Sequence, residues 1–179
     1  TTGTPKGAVH TQANLAAIRY YFGDKNGLLV ALVDWLMYDY LWEVWQKLAQ
    51  LSRGHDALDL LIDGAAAGML ADSASYRAYF DLLPHLLRDP GMARQLSDLL
   101  QAYRDLNVRG FWGDRSDVPP VIADLAALTV AMTDGLAIQV LADPDKVDIP
   151  RALALWKLFV ERTIGDAAHD GSSAGGWRS

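Results

Sequence analysis

The chain is predicted to be all-α. Strand signals are nearly absent: there is no sustained alternation of apolar and polar residues and no Asn-Gly or Asp-Gly hairpin between apolar runs. Apolar residues instead recur at three- and four-residue steps along most of the sequence. Capping and breaking residues divide that periodicity into helix-sized segments.

Asp24 is the candidate N-cap of a long helix reaching about Leu51, with Leu28, Leu29, Leu32, Leu36, Tyr40, Val44 and Leu48 as its core face; Arg53-Gly54 ends it. A second helix, from about Asp56 to Leu70, carries Leu58, Leu61, Ile62, Ala65 and Met69. Its small residues from Gly64 to Gly68 leave room for a close neighbour, either a helix or a ligand. Ser73 or Ser75 caps a third helix bearing Tyr76, Tyr79, Phe80, Leu83 and Leu87, in which Pro84 predicts a kink. Asp89-Pro90 is a boundary, with proline suited to the first turn of the next helix. That helix places Met92, Leu96, Leu99, Tyr103 and Leu106 on one face and continues to Trp112. Pro119-Pro120 opens the most apolar helix, Val121 to Leu141, and a last helix from Pro150 to about Ile164 puts Ala152, Leu153, Trp156, Phe159 and Val160 on one side. The Gly- and Ser-rich residues 165–179 read as a disordered tail.

Composition bounds the function. The 179 residues are 51% apolar and 21% charged, as expected of a globular protein with a real core. Without cysteine the chain has no disulfide framework and no thiolate chemistry, which fits a reducing, cytoplasmic compartment. Asp124 and Asp134 interrupt the longest apolar stretch, so no membrane span is expected, and no signal peptide stands at the start. The sequence shows no nucleophile elbow, no metal-ligand spacing and no phosphate loop, so neither catalytic nor metal residues nor any cofactor are assigned. His55 and His85 are read as solvated or bonded to neighbours. Net charge is −6, but residues 1–25 carry Lys6, Arg19 and Lys25 against Asp24, a local +2 on an acidic body of −8. A small basic tip of this kind suits a nucleic-acid reader whose body does something else.

One segment is more specific. Ala13 to Leu29 contains a short helix with small residues at Ala16 and Ala17, an aromatic Tyr20-Tyr21-Phe22, a Gly23-Asp24-Lys25 turn, and Leu28-Leu29 opening the long helix. This segment resembles the end of the helix-turn-helix of TetR-family transcriptional regulators. Gly135 to Pro144, followed by the last amphipathic helix, is similar to the C-terminal dimerisation region of that family, including its betaine-regulator-like branch. The resemblance spans most of residues 13–164. It implies three regions: a truncated DNA-binding region over residues 1–26, a helical effector-binding and dimerisation domain over 27–164, and the tail.

It also implies the partners, which are a palindromic double-stranded DNA operator, a hydrophobic or aromatic small-molecule effector and a second copy of the chain, with no membrane. On DNA, Asn14 and Leu15 lie at the helix end that meets base edges, and Arg19 pairs with guanine or phosphate. Tyr20 and Lys25 match positions that hold the phosphate backbone, while Ile18 and Phe22 face inward. The long helix has a second apolar stripe, Trp35, Tyr38, Trp42 and Trp45. A helix with two apolar sides is buried on both or lines a cavity. Trp35, Tyr38, Trp42, Met69, Tyr76, Tyr79, Phe80, Tyr103, Phe111 and Met132 are therefore the candidate effector-binding residues. The helix Val121–Leu141 is apolar nearly all round, so it needs cover on two sides. Ile122, Leu125, Thr129, Leu136, Trp156 and Phe159 are the candidate dimer contacts, in a two-fold four-helix arrangement.

Only twelve residues precede Ala13. The first helix of the family pattern has no counterpart in them, and Thr4–Thr11 is the expected remnant of the second. The competing expectation is a helical small-molecule-binding protein of the same fold that lacks DNA binding.

Overall fold

The computed structural model describes residues 12–51, 55–71 and 73–173, and every regular element among them is a helix. In chain order these are α1 (Gln12–Phe22), α2 (Lys25–Gln50), α3 (His55–Ala71), α4 (Ser73–Arg88), α5 (Pro90–Trp112), α6 (Pro120–Ala142) and α7 (Ile149–Ser173). Residues Thr4–Thr11, the expected helix remnant, lie outside the described residues.

Local chemistry sets most of the boundaries. Gly23 ends α1 with φ 75°, a conformation that costs glycine little, and its N–H donates to the Arg19 carbonyl at 3.1 Å. Asp24 then caps α2, its carboxylate accepting from the Gly27 N–H at 2.9 Å. Gly27 has a separate reason to be glycine: a Cβ there would stand 1.9 Å from the Phe22 carbonyl oxygen, so only a hydrogen lets the end of α1 fold onto the start of α2. Asp89 caps α5 by accepting from Gly91 and Met92 N–H at 2.8 and 3.0 Å, with Pro90 in the first turn. Asp148 does the same for α7, accepting from Arg151 N–H at 3.0 Å.

The core forms two adjoining clusters. Val44 and Leu48 of α2 meet Tyr79 and Leu86 of α4 and Met92, Leu96 and Leu99 of α5. On the other side Leu58 and Ile62 of α3 pack with Phe111, Ile122, Leu125 and Leu153, joining α3, α5, α6 and α7. Helix α5 contributes to both and acts as the shared strut. At its crossing with α3 the backbones come close: a Cβ on Gly110 would lie 2.2 Å from Leu61 Cδ1.

Several expectations are corrected. Leu87 is 63% exposed, and Leu86 is the buried leucine at that end of α4. Ile122 and Leu125, expected at a dimer contact, are 0% and 2% exposed within their own chain. Thr129 is buried too, and Trp156 turns inward to donate its indole N–H to the Thr129 hydroxyl at 3.3 Å. Leu136 is half-buried against the same core, which leaves Phe159 as the expected contact that faces out. The reason is that α6 is apolar all round: its sequence does not mark which stripe turns inward. The uncovered stripe carries Val121, Leu128 and Ile138, and α7 adds Leu155, Leu158 and Phe159 beside it. By length and composition alone α6 could cross a membrane, but here it packs on α5 and α7. The first part of the expected tail is corrected as well: α7 continues to Ser173, and Ala167 is buried on the core beside half-buried Ile164, while residues 174–179 lie outside the described residues.

Candidate functional site

Two places combine chemistry with geometry. The first is the tip formed by α1. Arg19, Tyr20 and Tyr21 all project from it, with the tyrosines 83% and 73% exposed and their rings edge-to-face at 5.0 Å. Ala16 and Ala17 are also exposed, so the helix presents a low surface beside these longer side chains. Phe22, expected to face inward, is half-exposed at 38%. The side chains of Asn14, Leu15, Ile18 and Lys25 lie outside the described residues, although their backbones belong to α1 and α2.

Exposed aromatic rings in water are not explained by folding, which would bury them. A rigid helix end offering a guanidinium and two phenols can donate to phosphate oxygens or base edges. The tip is joined to the body through the Gly23-Asp24 turn. Among the described helices α1 packs on α2 alone, so any force on the tip passes into α2.

The second place is a cavity of about 170 Å³ lined by α3, α4, α5, α6 and α7. Five expected residues line it: Tyr76, Tyr79, Tyr103, Phe111 and Met132. Phe80 stands behind the wall, its ring 5.1 Å from that of Tyr79. Met69 is 2% exposed and fills the core instead of the wall. Trp35 and Trp42 are corrected outright: they are 65% and 66% exposed and border no part of the cavity. The second stripe of α2 is a solvent-facing one there, because α2 is covered by α3, α4 and α5 on one side only. The Tyr38 side chain lies outside the described residues. Trp45, the last of that stripe, is half-buried beneath Arg109, whose guanidinium lies 5.0 Å from the ring centroid. Arg109 also pairs with Asp114 at 3.1 Å. Small residues of α3 border the cavity at Ala65 and Gly68, where a methyl on Gly68 would be 3.5 Å from the Tyr76 ring.

The cavity's polar groups are ones that sequence reasoning missed: Asn107, Thr129, Thr133 and Asp134. The Asn107 amide N–H donates to the Tyr103 carbonyl at 2.9 Å. The Thr129 and Thr133 hydroxyls donate to the Leu125 and Thr129 carbonyls at 2.8 and 2.9 Å. Burial pushes the Asp134 carboxyl up to about 6. Burial, and then the nearby Asp134 charge, push the Tyr79 phenol up to about 12. A signal for Asp134 did exist: it is one of the few strongly polar residues in an otherwise apolar helix. Asp124 and Gln139 carry the same signal, yet both face solvent.

Residues 42–165 match a protein family described as the C-terminal domain of BetI-type transcriptional repressors. No curated protein and no solved structure matches the chain. The matched segment contains the whole cavity and the uncovered α6–α7 face, whereas the α1 tip lies before it.

Proposed function

Because this chain belongs to the TetR family of transcriptional regulators, with a C-terminal domain of the BetI repressor type, we propose that it is a DNA-binding repressor that a small hydrophobic or aromatic molecule releases from its operator. The family is one of regulators of transcription, not of enzymes. The observation that carries the reading is the outward presentation of Arg19 and Tyr20 on a short helix tied by a capped turn to α2, which packs on α5, one wall of the ligand-sized cavity.

In this mechanism Arg19 and Tyr20 hold phosphate or base edges, joined by Asn14, Leu15 and Lys25 of the same segment. The uncovered stripe of α6 and α7 joins two copies. A two-fold axis there would set two copies of α1 about 34–36 Å apart, one helical turn of DNA, and would favour a palindromic operator. Coupling runs through α5: Phe111 lines the cavity, and Arg109, two residues before it, clasps Trp45 of α2. A ligand that displaces Phe111 shifts α5 against α2, and α2 re-aims the tip. Such linkage is typically worth about 1–3 kcal/mol.

Gel retardation with DNA from the intergenic region upstream of the protein's own gene tests this. The expected result is a retarded band at low salt that weakens as salt rises, because phosphate contacts release counter-ions. Complete absence of retardation by the full-length natural protein refutes the repressor reading. A second reading, a helical small-molecule receptor of the same fold that does not bind DNA, is favoured by the contact of α1 with α2 alone among the described helices. Ligand binding without retardation is the result that selects it.

A further inference from the structure

We infer that the cavity takes a protonated amine, a primary or secondary ammonium on a small aromatic or branched apolar body, with Asp134 as its counter-ion and the tyrosine rings around its charge. The inference rests on the reading of the cavity as an effector site, and it names the chemical class of that effector.

Three observations carry it. First, Asp134 is the one carboxylate on the wall, and no Lys, Arg or His lines the cavity with it. Among the described residues no cation and no hydrogen-bond donor is paired with it, and removal from water is the cause acting on it. A carboxylate in this setting lacks a counter-charge that a ligand can supply. An anionic ligand would be repelled, and a neutral one would leave the charge uncompensated.

Second, two other polar side chains of the wall offer acceptors. One Asn107 N–H and the Thr129 and Thr133 hydroxyl hydrogens are committed to backbone carbonyls. Thr133 keeps its hydroxyl lone pairs for a ligand, and Asn107 keeps its carbonyl oxygen together with one N–H. An ammonium bearing N–H groups satisfies Asp134 and these acceptors together, which a quaternary ammonium cannot do. Third, four of the other lining side chains are aromatic, Tyr76, Tyr79, Tyr103 and Phe111, set among aliphatic ones. Ring faces attract a desolvated cation, and their apolar bodies accept an aromatic ring. The volume of about 170 Å³ suits a ligand near the size of benzylamine, given that an apolar cavity of about 150 Å³ holds benzene.

The test is calorimetric titration of the natural protein with four probes of similar shape: benzylammonium, benzyl alcohol, benzoate and benzyltrimethylammonium. At about pH 7.5 benzylammonium is expected to bind at least about ten-fold more tightly than the others, and Asp134→Asn should reduce that preference to about two-fold or less. A melting temperature at or above wild type shows that the variant is folded.

The unaltered protein gives a second measurement. Affinity for benzylammonium, which stays protonated throughout, should fall about ten-fold between about pH 7.5 and pH 5 as a carboxyl titrating at about 6 is neutralised. The titratable groups that line the cavity with Asp134 are Tyr76 and Tyr79 from α4 and Tyr103 from α5, and the Tyr79 phenol is pushed up to about 12; α3 and α7 present only apolar side chains to the cavity. Equal or tighter binding of any of the other three probes, or a preference that survives Asp134→Asn, overturns the inference and leaves the cavity as an effector site of another class. Failure of all four probes to bind overturns the effector-site reading as well.

Discussion

Replacing Asp134 with Asn should stabilise the ligand-free protein at neutral pH. The carboxyl is taken from water without a partner, and its affinity for a proton rises from 3.8 to about 6 as a result. At about 1.4 kcal/mol per pH unit that difference would correspond to about 3 kcal/mol. The side chain keeps part of its solvent contact, so screening reduces the cost to about 1–2 kcal/mol. For a chain of this size each kcal/mol moves the melting temperature by about 2–4 °C, which predicts a gain of about 2–8 °C for the amide.

The pH dependence has a definite sign. A carboxyl with a raised folded-state value makes the native state hold its proton longer than the unfolded chain does. The penalty is therefore complete above about 6, shrinks as pH falls through that value, and is gone below 3.8. Thermal melts of both proteins at about pH 7.5 and pH 5, at matched protein concentration because self-association makes melting concentration-dependent, provide the comparison. The advantage of the amide should be about half as large at the lower pH. An unchanged melting temperature at pH 7.5, or an equal gain at both values, would refute the argument that Asp134 is a desolvated, uncompensated charge.

The remaining expectations concern the tip and the uncovered α6–α7 face. Gly27→Ala forces a methyl into the Phe22 carbonyl, so it should abolish gel retardation while leaving calorimetric binding of a cavity ligand intact; normal retardation would show that the α1–α2 junction tolerates displacement. Arg19→Ala should lower the slope of log affinity against log salt by about one, as loss of a single phosphate contact does, and an unchanged slope would remove Arg19 from the DNA backbone. Leu128→Glu, on the uncovered stripe through which two copies are proposed to join, should give a monomer in light scattering where the natural protein gives a dimer, without unfolding it, since Leu128 is 54% exposed. Ile122→Ala, on the buried stripe of the same helix, should instead cost about 2–5 kcal/mol in denaturant titration and leave the oligomeric state alone.

Wherever the determinant is local, it is visible in the chain itself. Asp24, Asp89-Pro90 and Pro119-Pro120 mark helix starts because a cap or a fixed φ acts on neighbours three or four residues away. The leucine and aromatic periodicity of α3 and α5 identifies their buried faces because each has one apolar stripe. The match to TetR-type regulators was likewise readable from the residues around Tyr20 and from the last two helices. The signal fails where a helix has two apolar faces. Trp35 and Trp42 look like lining residues by spacing, yet they stay exposed because, among the described residues, no element covers that side of α2. Leu87 fits the spacing of its helix, yet it is Leu86 that packs with the leucines of α5. The end of α7 looks disordered by composition, but contact with the core holds Ala167.

The charged residues of α6 show the division most clearly. Sequence alone determined that Asp124 and Asp134 interrupt an apolar helix, because composition and periodicity are properties of the chain. Which of the two would lie in a solvent-facing stripe and which in a cavity between aromatic walls was decided by packing. They are ten residues apart, almost three turns of helix, and the packing of α5 and α7 leaves the Asp124 side uncovered while α4 and α5 close over Asp134. Burial is a relation between segments distant in sequence, so neither residue's own neighbourhood contains it.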